Sequence, residues 1–170
     1  MITKEQLAAS MIRECDVIVH LTSKVTHDSL DYRPSPNQRS MLELLRYLSY
    51  CASGGIRSLV AADWSIYSAC ERESRSMSLA DFPDAMARQK AEIASFFESI
   101  SEEALATTQT KAPGGGAVML GPYIFNGPFK WLVAYKMQLF LYAKVNGAPD
   151  IGTSNLWGGV DRAPRPTETT

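Results

Sequence analysis

Few side chains in this 170-residue sequence are suited to acid–base, nucleophilic or metal chemistry. The only histidines are His20 and His27. One helical pattern carries both, separated by ~10.5 Å of rise, too far to clasp one ion together. With Glu43 or Cys51, either could complete a small metal site; alone, each is a partly buried or surface histidine. Cys15, Cys51 and Cys70 are odd in number, have no metal-like spacing and lie in helical patterns, where buried thiols are usually inert packing. No spacing pairs a cysteine with a histidine as a nucleophile. Gly114-Gly115-Gly116 lacks the Lys and Ser/Thr of a phosphate-binding loop. The richest pattern is Pro128 to Asn146, closed by Gly147. One face carries Phe129, Leu132, Val133, Leu139, Phe140 and Ala143, which is core. The other carries Trp131, Tyr135, Gln138 and Tyr142, a stripe of rings with polar tips suited to lining an internal site.

The elements that must position these residues are helical. Thr3-Lys4-Glu5-Gln6 is a capping box, and Leu7, Met11, Cys15 and Ile18 continue a first helix to about His27. Pro34 and Pro36 break the pattern. Ser40 to Glu43 is a second capping box, opening a helix through Leu44, Leu45, Leu48, Ala52 and Ile56. Gly54-Gly55 inside it either kinks the helix or lets a neighbour approach closely. The loop between these two helices is short, which predicts antiparallel neighbours. Asp81 is the expected cap of a third helix with Met86, Gln89, Ile93 and Phe97 inside. Two short β-prone runs around the triple glycine predict a hairpin. The fourth helix starts at Pro128, with proline in its first turn. Together these predict one all-α domain over residues 1–160, a four-helix bundle with a long crossover and short hairpin before its last helix, followed by a flexible tail over 161–170.

Composition narrows the function classes. Apolar residues make up 45% and charged residues 21%, close to the globular average, so extensive disorder is not indicated. The formal net charge is −1 and no Lys/Arg run forms a patch for phosphates, which argues against nucleic acid as a partner. No apolar run approaches the ~20 residues that span a bilayer, and the start lacks a signal-peptide layout, so the expectation is a cytoplasmic protein without a membrane partner.

Several strings resemble the DinB-like (DinB/YfiT) four-helix-bundle superfamily, unrelated to the DNA polymerase of that name. They are Arg33-Pro34-Ser35-Pro36, Leu44-Leu45-Arg46-Tyr47-Leu48, Lys136-Met137-Gln138-Leu139 and Lys144-Val145-Asn146-Gly147, in order over residues 3–147. The resemblance implies a bacterial homodimer, with Trp64, Tyr67 and Trp157 as candidates for the contact. It also implies a divalent metal held by three histidines, one on the second helix and two a turn apart on the last, where the ion activates water or a thiol in the group's thiol transferases and isomerases. Here those positions are Tyr47, Trp131 and Tyr135, whose neutral phenols and indole are poor ligands. The expectation is therefore a protein with no metal and no cofactor that binds a small apolar or aromatic molecule, or acts as an interaction protein. Its pocket is expected to be lined by Tyr47, Trp131, Tyr135, Gln138 and His20. Two alternatives stay open: a transferase or hydrolase with a relocated metal site at His20 or His27, and a structural homodimer whose rings fill the former site.

Overall fold

A computed structural model describes residues 2–162. Helix α1 (Lys4–Thr22) opens on the predicted capping box, with Thr3 and Gln6 each bonding the other's backbone N–H. It ends at Ser23, and His27 instead starts a short 3-10 turn, His27–Ser29. The connection over 23–40 is therefore longer than the sequence suggested. Helix α2 (Met41–Leu48) begins at the second capping box, Ser40 and Glu43.

The second bundle helix is broken, but not at its glycines. Helix α2 stops before Ser49, and α3 (Cys51–Ala61) resumes after Tyr50, carrying Gly54 and Gly55 within its helical run. The side-chain amide of Gln89, 1% exposed, accepts hydrogen bonds from Ala52 N (3.0 Å) and Ser53 N (3.2 Å) and donates to Leu48 O (2.9 Å). It thus satisfies backbone groups that the break would leave bare in the core. The glycines serve the close-approach alternative. A Cβ on Gly55 would lie 2.7 Å from Trp131 Cζ3 and 3.0 Å from Pro128 Cγ.

Helix α4 (Ser65–Ser74) lies against α3, and α5 (Phe82–Ser99) is the third bundle helix. Asp81 precedes α5 without capping it. Its carboxylate accepts instead from Ser78 N (2.9 Å) and Ser78 Oγ (2.6 Å). Short α6 (Glu102–Thr107) leads to the antiparallel hairpin β1 (Gln109–Lys111) and β2 (Ala117–Met119), with Thr110 opposite Val118. Gly114 and Gly115 adopt φ of +91° and +94° in its turn, which accounts for the glycine run without a phosphate. The hairpin docks on α3 and on Trp64 just before α4, where the Thr110 hydroxyl donates to Leu59 O and Trp64 Nε1 to Lys111 O.

The last helix starts eight residues before the expected Pro128. It runs through α7 (Leu120–Ile124), a π-helical turn (Phe125–Phe129) and α8 (Lys130–Val145). Pro128 is internal, and the wider turn accommodates a ring that would clash in a regular α-helix. Around the bundle, α1 packs on α5 and α8, while α2 packs on α8 and α3 on α5. The first two helices are thus not the predicted adjacent pair, because the longer first connection carries the chain across the bundle end. Met11, Ile18, Leu45, Leu59, Met86, Ile93, Leu132 and Leu139 meet in the all-α core. Asp161 pairs with Lys24 (2.7 Å), while residues 163–170, most of the expected tail, lie outside the described residues.

The tight seam at Gly55 yields a prediction. Gly55→Ala should lose about 1–3 kcal/mol in urea denaturation through overpacking against Trp131 and Pro128. Gly54→Ala, whose Cβ would meet Cys70 Sγ at 3.3 Å, should lose less, because alanine recovers helix propensity. Equal stability of Gly55→Ala and wild type would contradict the close contact.

Candidate functional site

Six aromatic rings, four on three helices and two beside them, form one connected cluster. Helix α2 contributes Tyr47 and α8 contributes Tyr135, their centroids 4.6 Å apart. Tyr50, just past the end of α2, stacks edge-on to Tyr47 at 5.7 Å and to Tyr67 of α4 at 5.2 Å. Tyr67 in turn meets Trp131 of α8 at 5.8 Å, and Trp64 contacts both, at 5.6 and 6.4 Å. Four of these contacts are T-shaped, a geometry that ring quadrupoles favour, and two are tilted. Helical spacing explains them locally. Trp131 and Tyr135 lie one turn apart on α8 and share a helix side, whereas Tyr50 and Trp64 flank α2 and α4, each three residues from Tyr47 or Tyr67.

Arg39 lies over this cluster, its guanidinium carbon 4.2 Å from the Tyr47 centroid and 5.3 Å from that of Tyr135. A cleft of about 420 Å³ opens beside it, with Tyr47, Tyr50 and Tyr67 as aromatic walls and Arg39, Arg46 and Arg75 among its charged ones. Glu43 and Glu71 also line it. Glu43 is already engaged, accepting from Ser40 N at 2.7 Å and pairing with Arg33 at 3.2 Å. Glu71 faces Arg75 at 4.0 Å, and Arg46 Nε donates to Met77 O at 2.9 Å. Among the described residues no carboxylate comes within 4.0 Å of Arg39.

The protonation chemistry of the walls is simple. Burial, followed by neighbouring charges, pushes the Tyr47, Tyr50 and Tyr67 phenols above the ordinary tyrosine range. They are neutral hydrogen-bonding groups at physiological pH. Burial likewise raises the Cys51 thiol, and lifts Cys15 to about 12, so neither is a ready thiolate. Neutral phenols, an indole that only donates and a guanidinium stacked above them do not fit a divalent cation. Among the described residues, no group of three His, Cys, Asp or Glu side chains could hold a metal ion.

Of the five residues singled out from sequence, the structure gathers three. Tyr47 and Tyr135 touch, and Trp131 joins them through Tyr67. Gln138 turns to a different partner, donating to the Tyr142 hydroxyl at 2.6 Å, which in turn donates to Arg39 O at 3.1 Å. This pair holds the backbone of Arg39 rather than lining the cleft. His20 belongs to another neighbourhood, where Nε2 lies 3.0 Å from Asn155 Nδ2 and 3.7 Å from the Asp161 carboxylate. Its place on α1 faces the Ser154–Gly158 turn, a contact that helical spacing alone could not reveal. His27 is exposed on its 3-10 turn.

Sequence reasoning did not bring Tyr50, Tyr67 and Arg39 into this site. The i, i+3 pairs Tyr47/Tyr50 and Trp64/Tyr67 were a usable signal, whereas Arg39 lies in a loop and gave none. Lys136 was also missed. It is 1% exposed, 2.6 Å from Glu14 Oε2 at an angle poor for a hydrogen bond, with the Trp157 ring 4.6 Å from its ammonium. Its position between Leu132 and Leu139 on the apolar face of α8 was the available clue.

Comparison with models of protein families and with curated proteins finds no match to this sequence. Among solved structures, the chain is similar to the crystal structure of the DinB-like protein YjoA from Bacillus subtilis. The TM-score is 0.68 at 17% identity, over 86% of this chain and 95% of that one. The fold is DinB-like. Among the described residues, no helix of this DinB-like bundle is long and apolar enough to cross a membrane.

The Lys136–Glu14 pair sets a stability prediction. Lys136→Met should cost about 3 kcal/mol, because it leaves the Glu14 carboxylate facing a dry interior. The double variant Glu14→Gln/Lys136→Met should regain most of that loss in chemical denaturation. A single-variant cost below about 1 kcal/mol would show the pair to be hydrated.

Proposed function

We propose that this protein is a metal-free small-molecule-binding protein of DinB-like fold, its ligand seated in the cleft beside Tyr47, Tyr50, Tyr67 and Tyr135. The observation that carries this reading is the Tyr47–Tyr135 contact with Arg39 above it. The family resemblance puts metal ligands at Tyr47, Trp131 and Tyr135, and here those positions carry neutral rings, two of them, Tyr47 and Tyr135, under a fixed cation. A positive charge at 4.2 Å from Tyr47 disfavours a second cation nearby and favours polarizable or anionic matter.

A filled structural core is the nearest competitor. Tyr47, Tyr50, Tyr67 and Tyr135 are only half-buried, however, and the first three border a cleft of about 420 Å³. That volume lies within the range of small-molecule sites, and aromatic walls with a few fixed polar groups are their usual lining. The alternative of a relocated metal site finds less support. His20 is engaged with Asn155, Glu43 with Ser40 and Arg33, and Cys51 is fully buried with its thiol held protonated.

Binding is measured directly. Titration with a panel of charged and neutral one- and two-ring aromatic compounds should quench tryptophan fluorescence saturably for at least one class, because Trp64 and Trp131 adjoin the cleft through Tyr67. Tyr67→Leu and Tyr50→Leu should each weaken that binding about tenfold, the share of one stacking wall. Saturable binding that ignores both substitutions would place the ligand elsewhere, and no binding by any compound would remove the reading.

A further inference from the structure

We propose that the cleft selects planar organic anions, aromatic carboxylates above all, with Arg39 receiving the carboxylate and Tyr50 and Tyr67 stacking on the ring. This inference rests on the binding reading above and adds the charge and shape of the ligand.

Charge is the first argument. Arg39 holds its guanidinium against two phenol faces, and no carboxylate among the described residues lies within 4.0 Å of it. The guanidinium carbon lies 4.2 and 5.3 Å from the Tyr47 and Tyr135 centroids, and a guanidinium carries five N–H donors, more than contact with two phenol rings uses. Its edge is the part that meets a carboxylate two bonds at a time. Arg46 and Arg75 line the same cleft, and the two glutamates there already have partners in Arg33 and Arg75. Positive charge is therefore in excess on this wall, in a protein whose formal net charge is −1.

Arg39 is also held in place. Its carbonyl accepts from the Tyr142 hydroxyl, which Gln138 fixes at 2.6 Å, and Ser40 next to it caps α2. A guanidinium so placed loses less freedom when it binds than a free surface arginine does. Shape is the second argument. Tyr50 and Tyr67 stand edge-to-face at 5.2 Å and 69°, leaving ring surface toward the cleft, and about 420 Å³ accommodates a one- or two-ring compound. Phosphate would satisfy the charge without using the rings.

Three probes separate these contributions: 2-naphthoate, its neutral isostere 2-naphthamide and inorganic phosphate, each titrated calorimetrically at low ionic strength. The account expects 2-naphthoate to bind about tenfold or more tightly than 2-naphthamide, as a charge-assisted pair requires. Phosphate should bind more weakly than 2-naphthoate. Arg39→Met should bring the two naphthyl probes to parity, and Arg39→Lys should keep part of the difference. Thermal melts verify that both variants are folded, and Arg75→Gln provides a second reduction of cleft charge. Equal binding of both naphthyl probes, unchanged in Arg39→Met, would overturn the charge preference while leaving an aromatic pocket. Phosphate binding as tightly as 2-naphthoate would overturn the planar preference. No binding of any probe would overturn this inference and the binding reading together.

Discussion

The break in the second bundle helix, and the buried amide that makes it tolerable, is the constraint on which the site depends. Where α2 ends and α3 begins, backbone groups lose their helical partners inside a dry core. Gln89 reaches from α5 and satisfies Leu48 O, Ala52 N and Ser53 N with one side chain. A buried polar group left unpaired costs about 1–3 kcal/mol, so three unmatched groups would threaten the marginal stability of a domain. With the break secured, Tyr47 remains on helical backbone while Tyr50 sits in the joint between α2 and α3. Tyr47 reaches Tyr135 on α8, and Tyr50 reaches Tyr67 on α4.

A second constraint acts from below. Gly55 has no side chain because Trp131 and Pro128 occupy that space, and Pro128 sits there because a π-helical turn admits it within the last helix. Close approach of α3 and the last helix thus seats Trp131, and Trp131 supports Tyr67. Charge is divided between separate places. Lys136 and Glu14 form a pair on the α1 side of α8, whereas Arg39 stands over the rings on the α2 side. The first compensates a buried carboxylate; the second, among the described residues, has no carboxylate within 4.0 Å and shares its cleft with Glu43 and Glu71, which pair with Arg33 and Arg75. That difference is why the proposed ligand contact is assigned to Arg39 rather than to Lys136.

The fold was largely legible, and the reasons are local. Capping boxes at Thr3 and Ser40, apolar spacing from Leu7 to Ile18 and from Met86 to Phe97, and the glycines of the hairpin all act within a few residues. The misreadings came where a tertiary partner overrode local preference. Pro128 has the chemistry of a helix start but lies within a helix, and of the two roles open to Gly54-Gly55, kink or close approach, the structure takes the second, with the joint forming earlier, opposite Gln89. Half of the site was legible for the same reason. Trp131 and Tyr135 share a helix side by spacing, but Tyr67 and Arg39 arrive from elements whose placement no periodicity describes. His20, sharing α1 with core residues, faces Asn155 because of how the chain returns after α8.

The central claim is that neutral rings under a guanidinium stand where the family resemblance implies metal chemistry. Its most direct test is the metal content of protein purified without a histidine tag, by elemental analysis, followed by titration with Zn²⁺ and Ni²⁺. The account predicts no stoichiometric metal and no affinity tighter than micromolar for either ion. A stoichiometric ion, retained through purification, would contradict it.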